Sequence, residues 1–186
     1  MTQSATLNFL IRDGLDADVD ACLRLNHVYE TDSVWQMHIR QEDGWVLQFK
    51  KERLPRTLEI EYLVSEERLR AALPADQCFL VATRREEGEE ILGYLTMHSD
   101  AIHRIGMIYD LVVSRPYRRN TIASRLVKVA ARWAKEHNLT RLMIETQTTN
   151  YPAIEFCQAT GFTFCGFNDR YFPNQDIAVF FSQSLR

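Results

Sequence analysis

The stretch DLVVSRPYRRNTIAS, Asp110 to Ser124, decides how this chain is read. Its apolar opening is a buried-type strand that ends near Ser114. A turn carrying Arg115, Pro116, Arg118 and Arg119 follows and leads straight into a helix. From Thr121 to about His137, Ile122, Leu126, Val129, Ala130, Trp133 and Ala134 recur at four- and three-residue steps, with Arg125, Lys128, Arg132, Lys135 and Glu136 on the other face. That spacing predicts one amphipathic helix of ~25 Å. The first turn of a helix has unpaired N–H groups and the positive end of the macrodipole. With arginines beside it, such an opening suits phosphates, and a pyrophosphate best, because several amides grip it together. A merely solvated basic turn is the other reading of the same residues.

Working outward, periodicity places strands at Leu7–Arg12, Val34–Arg40, Trp45–Lys50, Cys78–Thr83, Ile91–His98 and Gly106–Val113. Asp43-Gly44 marks a hairpin turn between the second and third of these. Asp16 or Asp18 is positioned to cap a helix reaching about Tyr29, and Ser65–Leu73 reads as a short helix ended by Pro74. Beyond the long helix come a strand at Arg141–Glu145, a helix at Tyr151–Ala159 with Pro152 in its first turn, and Gly161 as its terminator. Phe162–Phe167 and Ile177–Gln183 are the closing strands. Strands both adjacent and separated by helices give a mixed α/β (α+β) order.

Composition bounds the function. The 186 residues suit a single domain spanning 1–186, with an ordinary globular balance of 46% hydrophobic and 25% charged residues. The formal net charge of −3 offers no general attraction to nucleic acid or an anionic membrane, so neither is an expected partner. Met1–Asn8 does not read as a secretory leader, and no apolar run reaches 18 residues. Cys22, Cys78, Cys157 and Cys165 lack metal-ligand spacing, and the five histidines form no metal pattern. The expectation is a cytoplasmic protein with reduced thiols and no metal. Arg84–Glu90 (RREEGEE) reads as a solvated hairpin turn.

Two further motifs join RRNTIA of the opening stretch: Glu145 at the end of the next strand, and NYPAIEFCQATGF from Asn150 to Phe162. Together they resemble the GNAT family of acetyl-CoA-dependent N-acetyltransferases. Arg118, Thr121 and Ala123 fall on the three defined positions of that family's Arg/Gln-x-x-Gly-x-Gly/Ala loop. Asn150, Ala153, Phe156, Cys157, Gly161 and Phe162 fall on its later signature. ETQTTN at Glu145–Asn150, the closing IAVFF and ETDSVWQM near the start look most like the streptothricin-type members. The match is good from Ile108 to Phe181 and loose before it. Two departures stand out. Thr121 replaces a glycine, although a β-branched residue resists positive φ and close backbone approach. Cys157 replaces the tyrosine proposed to protonate the departing thiolate.

The resemblance implies a central mixed, mostly antiparallel twisted sheet with one splayed strand pair, flanked by helices. It implies acetyl-CoA as co-substrate, its pantetheine arm lying along Leu111, Val112 and Val113 like an added strand. The pyrophosphate then sits on Arg119, Asn120, Thr121, Ile122, Ala123 and Ser124 beside Arg118, with Asn150 and Phe156 also toward the coenzyme. An N–H of Leu111 or Val112 polarises the thioester carbonyl. The acceptor is a primary amine of a small cationic molecule, which must shed a proton before it attacks. With an alkylamine pKa of about 10.4, on the order of one molecule in a thousand is neutral at pH 7, so a base nearby would help. Asp110 and Glu145 are the candidates for base or anionic anchor, with Tyr29, Asp32, Tyr109 and Asp169 extending the acceptor wall.

Each assignment has a plainer alternative. Asp110 could only hydrogen-bond a loop, and Glu145 could salt-bridge Arg141 or Arg118. Cys157 is either the acid or a buried apolar thiol beside Phe156; an ordinary thiol, at a pKa of ~8.5, is closer than tyrosine to a leaving thiolate. His98 and His103 could line the acceptor pocket or be ordinary surface residues. Trp35, Trp45 and Trp133 read as core or subunit-contact residues, and the apolar strand Ile177–Phe181 could pair across a homodimer. A coenzyme-binding sensor without turnover is the competing function.

Overall fold

The computed structural model describes residues 7–41, 43–84 and 90–185. Most of the turn expected at Arg84–Glu90, and Met1–Thr6 of the N-terminal stretch, lie outside the described residues. In chain order the elements are β1 (Phe9–Asp13), α1 (Val19–Leu23), β2 (Val28–Gln41), β3 (Trp45–Glu61), α2 (Glu66–Arg70), β4 (Cys78–Arg84), β5 (Ile91–Asp100), β6 (Ile105–Val113), α3 (Ile122–Glu136), β7 (Arg141–Gln147), α4 (Tyr151–Ala159), β8 (Thr163–Asn168) and β9 (Ala178–Ser184). They form two compact units. The first holds the chain up to His27, Leu63–Met143 and the residues from Ser184 onward; the second holds Val28–Tyr62 and Ile144–Gln183.

In the first unit, β1, β4, β5 and β6 lie side by side in that order as antiparallel neighbours. The start of β7 follows after the α3 crossover, making the one parallel pair of a mostly antiparallel sheet. The apolar stripe of α3 packs on this sheet, with Ile122, Leu126, Ala130 and Ala134 almost wholly buried. Near β1, Asp18 takes two bonds from Arg12, at 2.6 and 2.9 Å, and one from the Leu15 amide at 2.8 Å. The Arg12 hydrogen bond holds the Asp18 carboxyl below the usual carboxylate range, against an opposing push from burial. Ser65 caps α2 as its position predicts, its Oγ accepting from the Arg68 amide.

A bulge in β6 sets the chemistry of one sheet face. Thr96 pairs with Asp110 but Met97 pairs with Ile108, which leaves Tyr109 as the extra residue. The parity change puts Asp110 on the face of Thr96 instead of that of Ile108. On β5 the same face carries Tyr94, Thr96 and His98, while Gly93, Leu95 and Met97 point the other way.

The second unit contains the β2–β3 hairpin, the rest of β7, α4, and β9 lying between β7 and β8. Trp35 anchors its aromatic cluster, with Phe49, Phe164 and Phe181 centroids at 5.8, 6.1 and 5.8 Å. Gly161 has φ +87° and closes α4 in the left-handed region its position implied.

Three expectations are corrected. The helix foreseen as far as Tyr29 stops at Leu23, because β-branched Val28, Thr31 and Val34 are drawn into β2, where Val28 faces Glu61. The strand foreseen at Trp45–Lys50 continues to Glu61. Its proline, Pro55, falls where the register jumps from Ser33–Arg53 to Thr31–Leu58, so the missing N–H leaves no gap in the ladder. Of the two readings given for Trp45, its 72% exposure at the hairpin end leaves the subunit contact. Finally, β9 has neighbours on both sides, so Ile177–Phe181 offers no open edge to a second copy.

Candidate active site

The opening of α3 is a bare helix end on a braced loop. Ser114 donates its amide to Leu92 O at 2.8 Å, and Arg115–Tyr117 form a single 3-10 turn. Arg118 Nε donates to Val113 O at 3.0 Å, fixing a half-buried guanidinium at the end of β6. The Asn120 side-chain amide reaches back to Tyr117 O and Arg118 O at 3.2 and 3.1 Å. Arg84 donates to Tyr117 Oη, which donates to Glu90, so the 3-10 turn is tied to β4.

Arg119 and Thr121 both take positive φ, +66° and +62°. Thr121 therefore occupies the left-handed conformation that its β-branched side chain disfavours, and the backbone path expected of a glycine is kept. Its side chain makes no cap bond, the first turn holds no acidic residue, and the amides of Thr121, Ile122, Ala123 and Ser124 meet no acceptor among the described residues. Unbonded amides at the positive end of a helix, with Arg118 and Arg119 next to them in sequence, have the chemistry to receive an oxyanion.

The two expected carboxylates sit in different surroundings. Asp110 is fully buried; Thr96 Oγ1 donates to one oxygen at 2.5 Å and Arg68 of α2 pairs with the other at 2.8 Å. This is a tie to a strand and a helix, not the loop contact that its plainer reading expects. Glu145, half-exposed on β7, accepts from Tyr171 Oη at 2.5 Å, a partner not foreseen. Tyr29 lies half-buried near Thr149 and Asp176; burial is the main cause raising its phenol above the ordinary tyrosine value. Asp32 is exposed and accepts from Ser33 Oγ at 2.9 Å, while Asp169 is exposed after β8. Tyr109 is the bulged residue of β6, its ring edge-on to His98 at 5.0 Å. Thus Tyr109 and Asp110 come together in the first unit, while Tyr29, Asp32, Glu145 and Asp169 all belong to the second. Sequence reasoning missed Arg68, Thr96, Asp176 and Tyr171. Only Tyr171, in the charged and aromatic run NDRYF, carried a local signal.

Along α4, Asn150 caps the helix, its Oδ1 accepting from the Ala153 amide at 3.2 Å. Phe156 is half-buried, and Cys157 is buried at 1% exposure. Burial pushes the Cys157 thiol up to about 12. Donation from it to a leaving thiolate of ordinary pKa, ~8.5, is uphill, which favours the packing alternative. Among the described residues no group of three or more His, Cys, Asp or Glu is placed to hold a metal ion.

Comparison with known proteins gives this arrangement its context. The acetyltransferase (GNAT) family matches residues 37–162. A streptothricin acetyltransferase of Escherichia coli is 32% identical over 78 residues, 42% of this chain and 44% of that protein. The chain spans less than half the length of the curated streptothricin relatives it matches. A nourseothricin acetyltransferase crystal structure superposes with a TM-score of 0.81 at 20% identity, over 96% of this chain and 99% of that one. A Bacillus anthracis str. Ames structure, described as a streptothricin acetyltransferase in complex with acetyl coenzyme A, gives 0.75 at 23% identity, covering 95% and 98%. At these identities the two structures speak for the fold. With the family's pattern matched over most of its length and the fold over nearly all of it, the chain belongs to the acetyltransferase (GNAT) family.

Proposed function

We propose that the protein is an acetyl-CoA-dependent N-acetyltransferase that acetylates a primary amine of a small cationic molecule, as a streptothricin-type enzyme would. The observation that carries this reading is the opening of α3: four unbonded amides, two left-handed residues and two arginines, directly after a strand. There the pyrophosphate lies across Thr121, Ile122, Ala123 and Ser124 with Arg118, Arg119 and Asn120 around it, and the pantetheine arm runs along Leu111–Val113 of β6. An amide of Leu111 or Val112 polarises the thioester carbonyl. The amine attacks directly in a ternary complex, with no metal. Glu145, Tyr29, Asp32 and Asp169 supply the anionic and aromatic character that suits a cation, Tyr109 lies beside the coenzyme strand, and Asn150 and Phe156 complete the coenzyme side. Cys157 packs α4.

We read the 186 residues as one such domain, working in the cytoplasm without nucleic-acid or membrane partners. The net charge of −3 supports this, and no helix among the described residues is long and apolar enough to cross a membrane. A homodimer would use a surface other than β9, and the exposed Ile39, Trp45 and Val46 of the hairpin are apolar enough to serve. Calorimetry with acetyl-CoA, followed by thiol release over a panel of cationic, neutral and anionic amines, tests the proposal. Saturable binding and release confined to cationic primary amines is the expected result. Absence of binding overturns it, and binding without turnover on any amine replaces it with a coenzyme sensor.

A further inference from the structure

β5 carries a file of polar side chains, Tyr94, Thr96 and His98, on the face shared with Asp110. Buried polar groups are tolerated when paired, and the first two are: Tyr94 Oη lies 3.0 Å from His27 Nε2, and Thr96 donates to Asp110. At the open end of the file the pairing stops. His98 is part-exposed, yet its Nε2 is shielded from solvent and meets no hydrogen-bond partner among the described residues. The groups that face it are Tyr109 and Asp110 of β6, Arg68 of α2 and Asp76 after α2. The carboxylate of Asp110 is already held by Arg68 and Thr96.

We propose that His98 Nε2 accepts the proton of the attacking amine. This rests on the acetyltransferase reading, in which the thioester carbonyl lies at Leu111 or Val112, next along β6 from the Tyr109–Asp110 bulge against which His98 packs. For the amine to reach Nε2, the Tyr109 ring packed edge-on against His98 has to move aside. The amine lone pair then forms the N–C bond, and the C–S bond breaks with its electron pair leaving on sulfur. The N–H proton, acidified by bonding to the acyl carbon, passes to Nε2, and the imidazolium releases it to solvent. A proton acceptor must start neutral. Burial, and secondarily the Arg68 charge, lower the His98 affinity for a proton and outweigh the opposing pull of Asp110 and Asp76. His98 is therefore neutral and competent at pH 7, and competence is lost as pH falls through its lowered pKa.

The test is kcat against pH for wild type and His98→Gln on the best amine of the panel, with acetyl-CoA calorimetry on both. The proposal expects an acid limb below the ordinary histidine value of about 6.5 in wild type. In His98→Gln that limb is gone and kcat falls about 100-fold, the lower end for a lost general base, while the acetyl-CoA Kd is unchanged. A variant that keeps kcat within twofold, or keeps the limb, overturns the role of His98. Should the variant not fold, the His98 ring resonances of wild type are titrated instead; a midpoint matching the kinetic limb supports the role, and a mismatch overturns it. Wild type that neither binds acetyl-CoA nor turns over refutes the transferase reading itself, and so is distinguishable from turnover indifferent to His98.

Discussion

Thr121 shows how the backbone can outvote a side chain. A β-branched residue at φ +62° costs about 1–2 kcal/mol relative to glycine, yet the turn keeps the geometry that leaves the α3 amides facing outward. Thr121→Gly is therefore expected to stabilise the fold by about 1 kcal/mol and to raise Tm by roughly 2–4 °C in a scanning melt. A lower Tm would mean that the threonine side chain contributes something its φ does not reveal. The sequence identified this residue as unusual because a β-branched side chain resists positive φ; propensity gives the cost of a conformation and not whether the fold imposes it. Cys157 is a similar case: an ordinary thiol is chemically suited to protonate a leaving group, and only burial, visible in the folded chain, pushes it up and makes that donation uphill.

Between elements, the Arg68–Asp110 pair ties α2 to β6, and its two ends are unequal. Asp110 has no exposure, whereas the Arg68 side chain is 31% exposed. Arg68→Ala leaves a carboxylate buried without its countercharge and is expected to cost about 3–5 kcal/mol in urea denaturation. Asp110→Ala should cost less, because the guanidinium can turn to water. Equal losses would show that packing, not charge, holds α2. The pair was not legible in the sequence: each partner's neighbours are unremarkable and the contact forms only when α2 folds over the sheet. Elements whose signals are local, such as α3 with its apolar stripe or α4 with Asn150, Pro152 and Gly161, were placed within a residue or so. The end of α1 was not, since cross-strand pairing, a long-range term, decides where β2 begins.

At the scale of the whole molecule, one likeness covers nearly the full chain in three dimensions while curated relatives align over less than half of it in sequence. The signals at the opening of α3 are local, because the arginines and the helix start that follows them are contiguous in sequence. Tyr171 against Glu145 and Asp176 near Tyr29 join residues far apart in sequence, so they were found only in the folded structure. The central claim is that the opening of α3 holds a diphosphate, and amide-resolved NMR on titration with acetyl-CoA tests it most directly. The N–H resonances of Thr121, Ile122, Ala123 and Ser124 should shift together and saturate with the calorimetric Kd. Saturable binding that leaves those four amides unmoved would contradict it.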